Sequence, residues 1–134
     1  MKISVFGNPD LPFDSAPLVM LPQLREAFPD VDFSVEDPEE LDLPAEGLDE
    51  WIILDTVKGL PAGRQGLPRV VEVPFEKLVA APRLTAHDFD LGAYLMLVRK
   101  LRPQLRVRII GVPMEADSQD FLGEVRVLLK SFIA

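Results

Sequence analysis

Cysteine is absent from this sequence, which removes disulfides, thiolate zinc sites, iron–sulfur clusters and any cysteine nucleophile together. Histidine occurs once, at His87, and no hydrolytic triad is evident around it. No stretch approaches the roughly 18 consecutive apolar residues of a membrane span, so no membrane attachment is expected. The opening Met1-Lys2-Ile3-Ser4-Val5-Phe6 runs into an apparent strand with no long apolar h-region, and the expected compartment is the cytoplasm. Positive charge is also scarce: 14 Lys and Arg stand against 22 Asp and Glu, a net charge of −8. Such a surface repels a phosphate-lined partner, and nucleic acid is not an expected ligand. Arg99, Lys100, Arg102, Arg106 and Arg108 do gather around one helix-to-strand passage. They read first as a solvated helix end favoured by the helix dipole, and otherwise as a local positive patch facing an acidic partner.

What is present fits one folded unit. A chain of 134 residues, 48% hydrophobic and 27% charged, has the size and composition of an ordinary domain, and its 13 prolines imply many abrupt loop ends. A single domain over residues 1–134, acting as a monomer, is expected. Short apolar runs at Ile3–Phe6, Val31–Val35, Trp51–Leu54, Val70–Val73 and Val107–Val112 predict five strands. Trp51-Ile52-Ile53-Leu54 is apolar on both faces, as a central parallel strand covered on each side would be.

Between the strands the period changes. Leu91, Tyr94, Leu95, Val98 and Leu101 fall at helical spacing, as do Phe121, Val125, Leu128, Leu129 and Phe132. Thr85 with Asp88, and Asp117 with Asp120, mark the starts of these two helices. A third helix is expected over Pro17–Phe28, kinked by Pro22. Glu36–Glu50, rich in acids and proline, offers at most a helical turn over Pro38–Leu41, and Lys58–Arg69 reads as a connection or a lid. The fold class is therefore α/β: a three-layer sandwich with a mostly parallel, twisted sheet of about five strands and helices on both faces.

Ligands of open α/β sheets bind beyond the carboxyl ends of the strands, so polar residues following strands carry the information. Three stand out: Asp14 after the first strand, Asp55 at the end of Trp51–Leu54, and His87 in the first turn of a helix. Two carboxylates and an imidazole make a mixed oxygen and nitrogen site suited to nickel, zinc or iron. Taken singly, Asp14 also reads as a helix cap, Asp55 as a turn residue and His87 as an exposed first-turn residue.

Four stretches in order add a family resemblance. Val5-Phe6-Gly7-Asn8-Pro9, with Asp14 six positions after Asn8, resembles the opening motif of the hydrogenase maturation proteases, where an acidic metal ligand follows a Gly-Asn-Pro loop. Trp51-Ile52-Ile53-Leu54-Asp55 resembles that family's apolar strand ending in aspartate. Thr85-Ala86-His87-Asp88-Phe89-Asp90-Leu91 is similar to its histidine-led helix start, and Val107–Glu115 to its late strand and proline–glutamate turn.

The resemblance implies an endopeptidase that removes the C-terminal extension of a nickel–iron hydrogenase large-subunit precursor after nickel insertion. Asp14, Asp55 and His87 would then be both the catalytic constellation and the ligands that engage nickel presented by the precursor. The sequence departs from the family at Phe13-Asp14-Ser15-Ala16-Pro17, with one acid where two are usual, and at Val35-Glu36-Asp37-Pro38, where a glycine pair is common. Two other readings stand beside it. One is a non-catalytic assembly module that binds the nickel-loaded precursor. The other is a flavodoxin-like binder using Gly7-Asn8-Pro9, a loop without a glycine-rich cradle or lysine and flanked by Asp10 and Asp14.

Overall fold

Each of the five apolar runs forms a strand, and the helical stripes form helices between them. The order is β1 (Lys2–Val5), α1 (Ala16–Ala27), β2 (Asp32–Val35), β3 (Glu50–Val57), β4 (Val71–Val73), α2 (Leu91–Leu101), β5 (Arg106–Pro113) and α3 (Ser118–Ile133). The structure is a computed structural model, and it describes residues 2–7, 16–36, 47–57, 70–76, 91–113 and 118–133. The expected turn at Pro38–Leu41, the connection Lys58–Arg69 and the Thr85–Asp88 helix start lie outside the described residues.

The strands join in one sheet of order β2-β1-β3-β5-β4. Pairs β1–β2, β1–β3 and β3–β5 are parallel, whereas β4 runs antiparallel to β5 at the edge. Helices α1 and α3 cover one face, where Met20, Leu24, Phe121, Val125 and Leu129 pack on Ile3, Val5, Ile52, Leu54 and Ile110. Helix α2 covers the other, placing Leu95 and Val98 against Trp51, Ile53 and Ile109. The result is an α/β sandwich of three layers.

Central position explains why β3 reads as a continuous apolar run. It has strands on both sides and helices on both faces, so Trp51, Ile52, Ile53 and Leu54 are all at most 2% exposed. Each such side chain contributes about 1.5–3 kcal/mol of transfer free energy. The strand is longer than the sequence predicts. It continues through Asp55, Thr56 and Val57, all buried, because β5 pairs with it over its full length as far as Val57↔Pro113.

The helices follow their stripes with two qualifications. Helix α1 continues through Pro22, which lies on its exposed side while Met20, Leu21 and Leu24 face the sheet. Leu101, expected in the inward stripe of α2, is 57% exposed. Steps of three residues turn about 300°, so a stripe set by Leu95 and Val98 has rotated about 120° away from Leu95 by Leu101. In α3 the stripe holds: Phe121, Val125, Leu129 and Phe132 are buried and Leu128 is half-buried. Among the described residues, no helix is long and apolar enough to cross a membrane.

Candidate functional site

After β1 the chain builds β2 on one side of it and then β3 on the other. The sheet therefore has a topological switch between β1 and β3, and the crevice at their carboxyl ends is the favoured ligand position in such sheets. β1 ends there with Val5 opposite Leu54, and the Phe6 amide adds one more bond to the Leu54 carbonyl at 2.9 Å.

Asp55 is the next residue of β3. Sequence reasoning ends the apolar run at Leu54 and places Asp55 at the strand's end, with a turn residue as the other reading. The structure corrects this: Asp55 lies within β3, opposite Gly111 of β5, and is fully buried. Its neighbours in the strand explain the error, since Asp55 and Thr56 interrupt the apolar run without ending the ladder. Side chains alternate along a strand, so Asp55 shares its face with Trp51, Ile53 and Val57, the face covered by α2. The Thr56 amide donates to Asp55 Oδ1 at 2.8 Å, which holds the carboxylate at the edge where β1 has ended.

Asp14 and His87 lie outside the described residues. Among the described residues, no group of three His, Cys, Asp or Glu is arranged to hold a metal ion. The structure thus fixes one member of the sequence-predicted trio.

Two polar clusters escape the sequence reading. On the α2 face, the buried Trp51 indole Nε1 donates to Ser4 Oγ at 2.8 Å, and Ser4 Oγ donates to Glu36 Oε1 at 2.9 Å. Lys2 Nζ stands 3.6 Å from the same carboxylate. This relay ties β3, β1 and the residue following β2 together across the sheet. Its one signal in the sequence is Ser4, a hydroxyl between two apolar strand residues.

The second cluster lies on the α3 face. Arg108 of β5 forms a bidentate pair with Glu72 of β4 at 2.8 and 3.0 Å. Its guanidinium carbon sits 3.5 Å from the Phe132 ring centroid, and Nη1 is 3.9 Å from Glu50 Oε1. That oxygen is buried and accepts no hydrogen bond. The hydrogen bonds from Arg108 lower the Glu72 pKa, and the same bonds raise that of Arg108. Arg108 therefore serves as an internal clasp on the edge strand. The Val70 amide reinforces it by donating to Glu124 Oε1 of α3 at 3.2 Å.

A groove of about 230 Å³ is lined by Phe75, Glu76, Arg99, Pro103, Leu105 and Val107. It opens at the amino end of β5, the opposite edge of the sheet from Asp55. It is separate from the candidate crevice.

No family model and no curated protein matches the sequence. Among solved structures, the chain is similar to the [NiFe] hydrogenase maturation protease HybD from Thermococcus kodakarensis. The two are 18% identical, with 100% of this chain and 99% of that one covered and a TM-score of 0.59. The hydrogenase maturating endopeptidase HybD from E. coli is 14% identical, with 96% and 90% covered and a TM-score of 0.57. The hydrogenase 3 maturation protease is 18% identical, with 94% and 86% covered and a TM-score of 0.58. Over nearly its whole length, the chain has the fold of the hydrogenase maturation proteases.

Proposed function

We propose that the protein is an endopeptidase that trims the C-terminal extension of a nickel–iron hydrogenase large-subunit precursor once nickel has been inserted. The observation that carries this reading is Asp55, a fully buried carboxylate at the switch-point edge of a sheet whose fold is that of maturation proteases.

Connectivity supports the other two members of the trio. Asp14 belongs to the connection that leaves the carboxyl end of β1 and enters α1 at Ala16. His87 lies four positions before α2, whose far end turns directly into the amino end of β5 through the Arg102 and Leu105 backbone bonds. The start of α2 therefore lies towards the carboxyl edge. Asp14, Asp55 and His87 would engage nickel as part of the substrate, so that only a loaded precursor is seated.

Cleavage needs a water oxygen to add to the scissile carbonyl, the carbon–nitrogen bond to break and a proton to reach the departing amine. With no cysteine and one histidine in the chain, water is the nucleophile this reading assigns. The carboxylates orient it or accept its proton, and the substrate's nickel lends electrostatic assistance.

The experiment mixes purified protein with nickel-loaded large-subunit precursor and follows the precursor by intact mass. Asp14→Ala, Asp55→Ala and His87→Ala variants run in parallel. Trimming by the unsubstituted chain alone supports the reading. Binding without trimming favours the assembly module, and trimming that survives all three substitutions removes the proposed site.

A further inference from the structure

Glu50 Oε1 is a buried carboxylate oxygen that accepts no hydrogen bond, and Arg108 Nη1 stands 3.9 Å from it. A buried acceptor left without a partner is unfavourable, so its position asks for a physical reason. Arg108 uses Nε and Nη2 on Glu72, and Nη1 is the remaining corner of the guanidinium. Two carboxylates thus flank one cation from different strands: Glu72 from β4 at the edge of the sheet, Glu50 from β3 at its centre.

These strands are held unequally. β4 pairs with β5 alone, over three residue pairs, whereas β3 pairs with both β1 and β5. Short edge ladders open locally at lower free energy than central ones. If β4 left with Glu72 and nothing replaced it, the Arg108 guanidinium, on a side chain only 17% exposed, would stay unpaired against the Phe132 ring. An unpaired, largely buried charge strongly opposes such an opening. Glu50 removes the obstacle, because a shift of about 1 Å brings Nη1 within hydrogen-bond distance of Oε1.

We propose that Arg108 changes partner as the edge strand opens: Glu72 holds it while β4 is docked, and Glu50 holds it when β4 is released. The end of α3 stays seated through Arg108 and Phe132, so the opening is confined to the edge. Val70 and Val73, 3% and 4% exposed, together with the bond from the Val70 amide to Glu124, keep the docked state the major one. His87 falls between β4 and α2 in the chain. Release of β4 therefore frees one anchor of that stretch while β3, with Asp55, stays paired to β5.

Amide hydrogen exchange on the full chain tests this. Val71 and Val73 report the β4–β5 ladder, and Ile53 and Leu54 report the centre. In the unsubstituted chain the β4 amides should exchange well ahead of the central ones. Glu50→Gln should slow the β4 amides about fivefold, since the released state then offers Arg108 a neutral acceptor in place of a charged one. Glu72→Gln should speed them. In Glu72→Gln the Arg108 guanidinium resonances should still show the slow rotation of a bonded group, and the variant carrying both substitutions should lose it. Circular dichroism checks folding, and if Glu50→Gln does not fold, the resonances in Glu72→Gln decide alone. Faster or unchanged β4 exchange in Glu50→Gln overturns the proposal, because Glu50 would then serve only the docked state. So does a freely rotating Arg108 in Glu72→Gln, or exchange of the β4 and central amides at one common rate.

Discussion

Asp55 stands opposite Gly111 of β5, one step beyond the last residue of β1 that pairs with β3. The carboxylate thus occupies the point where the sheet opens between β1 and β3, while still held within a regular strand. Asp55→Asn keeps the side-chain shape and a carbonyl able to accept from the Thr56 amide, but removes the charge. Replacing outer-shell partners of metal ligands costs about 10–100-fold, so under the proposed function, in which Asp55 would engage the substrate's nickel, loss of its charge should lower trimming by at least about 100-fold. The melting temperature should stay within a few degrees. A variant that unfolds early, or trims at the original rate, contradicts this role.

The Trp51–Ser4 bond makes a prediction about coupling. Ser4→Ala leaves a buried indole N–H without its acceptor and should cost about 1–3 kcal/mol in urea unfolding. Once Trp51→Phe has removed the donor, the same serine substitution should cost clearly less. A double-mutant cycle measures the difference, and strict additivity would show that the bond adds nothing to stability.

The Glu72–Arg108 pair sets a pH dependence. The Glu72 pKa is lowered on folding, so its contribution is present above the ordinary glutamate value and is lost as pH falls through the lower, folded value. The raised pKa of Arg108 matters only at extreme alkaline pH. Glu72 is 40% exposed, and solvent screening limits the effect to about 0.5–1 kcal/mol. Glu72→Gln should therefore destabilise the protein by that amount at pH 7, with the gap narrowing at an acid pH below the ordinary glutamate range. A gap of the same size at both pH values would locate the loss in packing.

Pro22 offers a gain. It sits in the interior of α1 on the exposed side, where it removes one helix hydrogen bond and crowds the preceding turn. Pro22→Ala should raise stability by about 1–3 kcal/mol, read as a higher melting temperature. An unchanged or lowered melting temperature would mean that the proline ring contributes packing that alanine cannot replace.

Among the described residues, the sequence by itself determined the alternation of the five strands with helices α1, α2 and α3, because periods of 2 and 3.6 are local properties of residue order. It also determined the burial of Trp51–Leu54 on both faces, since four consecutive apolar residues leave no polar side for solvent. Only the tertiary structure decided where β3 stops. Asp55 and Thr56 look like a turn until a partner strand is present to pair them, and that partner, β5, lies some fifty positions away in the chain. The antiparallel course of β4 was equally illegible, because a three-residue strand carries no mark of direction. Arg108 reads as one more cation in a basic run, and what makes it internal is the meeting of Glu72, Glu50 and Phe132 from three other elements. Local pattern chose the elements, whereas long-range pairing chose which polar groups they enclose.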